Sequence, residues 1–198
     1  MRALRALYFL PLLLSSGVGQ HYDSPEIRPL MRLSLSQADA NGGATLLSNS
    51  GALQQLTQSL QRVDTTTQKL FTASLTKLLR DPTRGWRASE LPYTPIQPQG
   101  RGRPRAIDFF HDVERTAIEL ELSNQTCFSH DLLKLETAFR HGYIMSAAII
   151  TIHDSAAHSL NWRRKGNNSY LTFETASTFL AVFAPALSVP ILLRGLEM

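Results

Sequence analysis

The sequence has one cysteine, Cys127, among 198 residues, which excludes an internal disulfide framework and any zinc site made of cysteine alone. Charge is sparse too. Asp, Glu, Lys and Arg make up 18% of the chain and the formal net charge is +4, far short of a dedicated nucleic-acid coat. No phosphate-cradling glycine loop, nucleophile-elbow glycine pattern or His-Glu-x-x-His string is present, so the usual short signatures of nucleotide binding, hydrolase chemistry and zinc proteolysis are missing. A chain of 198 residues leaves no room for a multidomain enzyme. Apolar residues at 43% exclude wholesale disorder, but much of that content lies in two terminal runs.

The first run carries the layout of a secretory signal peptide over residues 1–19: basic Arg2 and Arg5, an apolar stretch from Ala6 to Leu14, then Gly17 and Gly19 before the cut. The alternative is a mitochondrial presequence, given Arg2, Arg5, Arg28 and Arg32. At the other end, Thr175 to Leu193 carry no charge. As a helix this stretch reaches ~28 Å, enough to cross a bilayer. Three readings of the hydrophobic tail, residues 179–198, are open: a glycolipid-anchor signal attached at Asn167, Asn168 or Ser169, a transmembrane span, or a buried C-terminal helix. The anchor suits the flanking charges better, because Arg163, Arg164 and Lys165 precede the tail and only Arg194 follows it.

Between the ends, residues 20–43 read as an extended leader, and Leu46, Leu53, Leu56, Leu60, Val63, Leu70, Leu75 and Leu78 predict a long amphipathic helix over 44–80, capped by Asn49 or Ser50. Prolines at 82, 92, 95, 98 and 104 make 81–104 a Pro/Arg-rich linker. The region 105–160 is expected to be helical. A second helix starts at Pro104, with Ile107, Phe110, Val113, Ala117 and Leu120 on one face, and Ser129 caps a third through Leu132, Leu135 and Phe139. Tyr143 to Ile152 is apolar on nearly every side; Met145, Ala147 and Ala148 favour helix over strand. Residues 161–178 form a basic and polar spacer. The fold class expected is therefore mainly α, a small helical bundle with a Pro/Gly-rich linker and a C-terminal hydrophobic segment.

Candidate chemistry is thin. Asn124 and Asn167 begin N-glycosylation sequons, and Cys127, an odd cysteine in an oxidising compartment, is a candidate for an interchain disulfide joining two copies. His111 with Glu114 and Asp154 with His158 have the spacing of helix-borne metal pairs, a pattern that solvated helix surfaces carry routinely. Ser129-His130-Asp131 has the residue types of a hydrolase triad, but neighbouring residues do not reach a common centre. No catalytic residue, metal ligand or cofactor is assigned.

Arg101-Gly102-Arg103-Pro104, flanked by Gly100 and Arg105, is similar to the core of the AT-hook. The resemblance covers this string alone and implies that Arg101 and Arg103 enter the minor groove of A·T-rich DNA while Gly102 and Pro104 set the backbone path. The competing reading is a basic linker. Arg28-Pro29-Leu30-Met31 resembles a degenerate form of the RxLR translocation motif of secreted oomycete effectors. Together these features predict a non-enzymatic secretory-pathway glycoprotein, membrane-attached at the cell surface and binding an unidentified protein partner. Nucleic acid is not expected as a partner outside the AT-hook alternative. A soluble secreted helical signal or effector is the second reading, and a mitochondrial address the alternative to the secretory one.

Overall fold

A β-sheet organises the chain. The computed structural model describes residues 30–90, 106–122, 124–162 and 170–198. In chain order the elements are β1 (Arg32–Ala40), α1 (Gly43–Leu47), α2 (Gly51–Leu60), α3 (Gln68–Leu79), a 3-10 turn at Pro82–Arg84, β2 (Trp86–Glu90), β3 (Ile107–His111), β4 (Thr116–Leu120), α4 (Gln125–Arg140), β5 (Ser146–Ile152), α5 (Asp154–Ser159), α6 (Phe173–Phe183), a second 3-10 turn at Ala184–Ala186, and β6 (Ile191–Glu197). The strands form one mixed six-stranded sheet in the order β1-β6-β5-β4-β3-β2. Its centre, β4-β5-β6, is parallel, and both flanks pair antiparallel.

The expected mainly helical bundle is thus corrected to an α/β sheet with helices on both faces. Every residue of Ser146–Ile152 is buried, because helices cover both sides of a parallel strand; such a run shows no alternation, and periodicity could not separate it from a helix. Ala148, Ile150 and Ile152 point into a core shared with α1, α2, α3 and α5, whose centre includes Leu56, Phe71, Leu75 and Trp86. Ala147 and Ile149 point the other way, towards Phe128, Leu132 and Leu135 of α4 and Phe173 and Leu180 of α6. Each fully buried Leu or Phe contributes about 2 kcal/mol by leaving water. Both crossovers from β4 to β6 run the same way along the sheet with α4 and α6 on one face, as a common handedness requires.

The helix expected over 44–80 is three helices. Ser50 caps α2 by accepting the N–H of Leu53 at 3.0 Å, and Thr67 caps α3 by accepting that of Leu70 at 3.1 Å, so the leucine stripe folds back on itself. The helix expected from Pro104 to Leu122 is a hairpin instead. The β3–β4 turn puts Arg115 in the left-handed region (φ 52°), without the Asn-Gly or Gly signal that marks such turns in a sequence. The third helix begins at Gln125, capped by Asn124 and not by Ser129, with the Asn124 carboxamide oxygen accepting the N–H of Thr126 at 3.0 Å.

The hydrophobic tail is core. Ile191, Leu192, Leu193 and Leu196 are fully buried, and β6 lies between β1 and β5 inside the sheet. Among the described residues no helix is long and apolar enough to cross a membrane. This overturns the transmembrane and anchor-signal readings: Pro185 and Pro190 bracket a turn that separates a helix of 11 residues from a strand of 7. The signal-peptide segment 1–19, the AT-hook residues Arg101, Gly102, Arg103 and Pro104, and Asn167, Asn168 and Ser169 lie outside the described residues.

Candidate active site

The β3–β4 hairpin pairs Phe109 with Ile118, and one step further along the same register Asp108 faces Glu119. The Leu120 N–H donates to Asp108 Oδ2 at 2.9 Å, fixing that carboxylate against the neighbouring strand. Residues two apart on a strand share a face, so Glu121 follows Glu119 on the side that α4 covers, while Ile118 and Leu122 pack into the opposite core. Glu121 continues the pairing, its N–H donating to the Ile150 carbonyl at 2.9 Å. From above, α4 contributes Cys127, Asp131 and Lys134. Together with Ala106, Asp108, Glu119, Leu120 and Glu121 these residues line a cavity of about 400 Å³. It opens outside the carboxyl end of β4, where ligands bind in open α/β sheets.

Among the described residues four carboxyl groups and one ammonium share this space; Glu119 is 2% exposed, Asp131 5% and Glu121 7%, while Asp108 is half-buried. Lys134 Nζ lies 2.8 Å from Glu119 Oε1 and 3.0 Å from Asp131 Oδ1, and donates to the Ala106 carbonyl at 3.1 Å. Glu119 Oε1 is buried without a well-aligned hydrogen bond, so its contact with Lys134 is an ion pair made by proximity. Burial, then the nearby Asp108 charge, pushes the Glu119 carboxyl well above the usual range. Burial also raises Asp108, against the Leu120 N–H and Lys134. Burial works against the Lys134 charge, but Glu119 and Asp131 outweigh it and hold the ammonium above its ordinary value. Among the described residues the cavity wall sets four carboxyl groups against one lysine.

That donor set fits a hard divalent cation of the magnesium kind, which takes oxygen ligands. Asp108 and Glu119 are the residues that would hold it. Among the described residues no three His, Cys, Asp or Glu side chains already form a cage. Magnesium does not require one, since it commonly sits on one or two carboxylates and completes its shell with water and substrate phosphate.

A family model described as restriction endonuclease BglII/BglIII matches residues 36–196, a span that contains every residue lining the cavity. The chain belongs to this endonuclease family. Two solved structures share its fold. The crystal structure of restriction endonuclease BglII complexed with a DNA 16-mer has 19% identity and a TM-score of 0.59 over 82% of this chain and 78% of that one. Free BglII has 20% identity and a TM-score of 0.52 over 82% and 79%. No curated protein sequence matches the chain.

Membership of the BglII/BglIII family overturns the non-enzymatic surface glycoprotein, and with it the membrane attachment and the expectation that nucleic acid is no partner. A secretory or cell-surface address does not suit an endonuclease of this family. Of the residues singled out in the sequence, Cys127 lies half-buried in the first turn of α4, on the cavity wall, and Asn124 caps that helix. The suggested metal pairs do not meet. His111 is buried, its Nε2 3.1 Å from the Arg84 carbonyl and its Nδ1 accepting the Glu114 N–H at 3.3 Å. Glu114 instead accepts the N–H groups of Gly51 and Ala52 at the start of α2. Asp154 and His158 form an exposed pair 3.7 Å apart. Of Ser129, His130 and Asp131, only Asp131 reaches the cavity.

Asp108, Glu119, Glu121 and Lys134 were missed. The signal that could have found them is the alternation Ile118-Glu119-Leu120-Glu121-Leu122, a strand pattern placing both glutamates on one side.

Proposed function

We propose that this protein is a DNA endonuclease that hydrolyses phosphodiester bonds at the cavity between β3, β4 and α4. The observation that carries the reading is the gathering of Asp108 from β3 with Glu119 and Glu121 from the carboxyl end of β4 on one cavity, within the span matched by a restriction endonuclease family. A divalent cation bound there supplies Lewis-acid polarisation of the phosphate and a more acidic water. Asp108 and Glu119 would hold it: the first is fixed by the Leu120 N–H, and the second is buried with its Oε1 2.8 Å from the Lys134 ammonium. Glu121, on the same face, accepts the proton of the attacking water at a carboxylate oxygen.

The test is cleavage of a long duplex of mixed sequence by the full chain in magnesium or manganese. Discrete fragments are expected. Asp108→Asn and Glu119→Gln, both folded, should each lose about a thousandfold in rate, equivalent to ~4 kcal/mol of transition-state stabilisation. A folded native chain that cuts no duplex, or variants that cut as fast as it does, would refute the reading.

A further inference from the structure

Lys134 stands out because its side chain is buried, 9% exposed, and among the described residues it carries the one positive charge on the cavity wall. Its ammonium has three protons, and three acceptors surround it: Glu119 Oε1, Asp131 Oδ1 and the Ala106 carbonyl. One of these acceptors, Glu119 Oε1, belongs to a carboxylate that a cation would require. An ammonium and a divalent cation cannot both sit on that oxygen without strong repulsion in a poorly solvated cavity.

We infer that Lys134 is the resident counter-ion of the carboxylate site and couples cation binding to phosphate binding. Without ligands its ammonium neutralises Glu119 and Asp131. When a phosphodiester enters, its negative charge takes over the ammonium, and Glu119 is released to the cation. Each ligand then strengthens the other, by the reciprocity of linked binding. Asp131, three residues earlier on α4, keeps the lysine near the cavity during this exchange. The lysine is therefore a positioning residue. The phosphate half of the inference rests on the endonuclease reading; the cation half does not.

Calorimetric titration of the full chain with Mn²⁺, with and without a short DNA duplex, separates the two. In the native chain the duplex should tighten Mn²⁺ binding. Lys134→Met removes the resident charge and should bind Mn²⁺ about tenfold more tightly without DNA, with most of the DNA-dependent gain gone. Lys134→Gln, which keeps a donor for Ala106 and Glu119, should behave the same way and serves if the methionine variant does not fold. A lysine that only tethers α4 to the sheet would lower the melting temperature and leave Mn²⁺ affinity unchanged or weaker, and that result overturns the inference. Tighter Mn²⁺ binding in the variants beside a native chain that ignores duplex DNA would keep the counter-ion, sink the coupling, and count against the endonuclease reading.

Discussion

Glu136 on α4 shows what a well-satisfied buried carboxylate does here. Its Oε2 accepts the N–H groups of Ser188 and Val189 at 2.7 and 3.0 Å, pinning the loop that leads into β6, and its Oε1 accepts from Arg140 at 2.5 Å. Burial alone would raise this carboxyl; Arg140 and the two backbone donors outweigh it and hold it below the ordinary glutamate range. Its stabilising contribution is therefore complete above that ordinary range and is lost as pH falls through the lowered native value. Glu136→Gln should cost about 2 kcal/mol at neutral pH and progressively less in acid, measured by denaturant unfolding across the pH range. Asp108 has the opposite sign. Its carboxyl is raised by burial, so the folded state holds a proton the unfolded chain gives up, and stability falls as pH rises through that interval. Asp108→Asn should raise the melting temperature of the cation-free protein by about 3 °C at neutral pH, corresponding to ~1 kcal/mol, while removing most of the rise that Mg²⁺ gives the native chain. Lower stability in both conditions would contradict this.

Among the elements, the β3–β4 hairpin and the contact of α1 with β6 decide most. On a helix, Glu119 and Glu121 point in different directions; on a strand they share a face, so reading 105–122 as helix hid the site. The apolar residues Ile107, Phe110, Val113, Ala117 and Leu120 suit a helix spacing, yet Val113 sits 82% exposed at the hairpin turn. Gly43 begins α1 directly over β6. A Cβ there would lie 2.2 Å from the carbonyl carbon and oxygen of Ile191, which are backbone atoms with little freedom to move. Gly43→Ala should therefore destabilise the fold by roughly 3 kcal/mol or leave it insoluble, read by thermal melting and expression yield. Ser50, by contrast, was legible as a cap, because capping needs only a hydroxyl and the N–H three residues on.

For the molecule as a whole, the last strand is the keystone. β6 bonds to β1 on one side and β5 on the other, and Arg194 reaches the Gln37 carboxamide oxygen at 3.2 Å and the Ser34 carbonyl from within it. Ending the chain before Ile191 should abolish cooperative unfolding, as judged by calorimetry. What the sequence determined by itself was local: the cap at Ser50, the apolar stretches, and the Glu119–Glu121 alternation, which depends only on neighbouring residues. What the tertiary structure alone decided was whether 146–152 is a strand, whether 191–197 is core or tail, and that Asp108, Glu119, Asp131 and Lys134 share one cavity. An apolar run buried on both faces has the same composition in a helix, a strand or a membrane span, and only the partners on each side distinguish them. A cluster of carboxyl groups around one lysine likewise exists only once residues from three separate elements are brought onto one cavity wall.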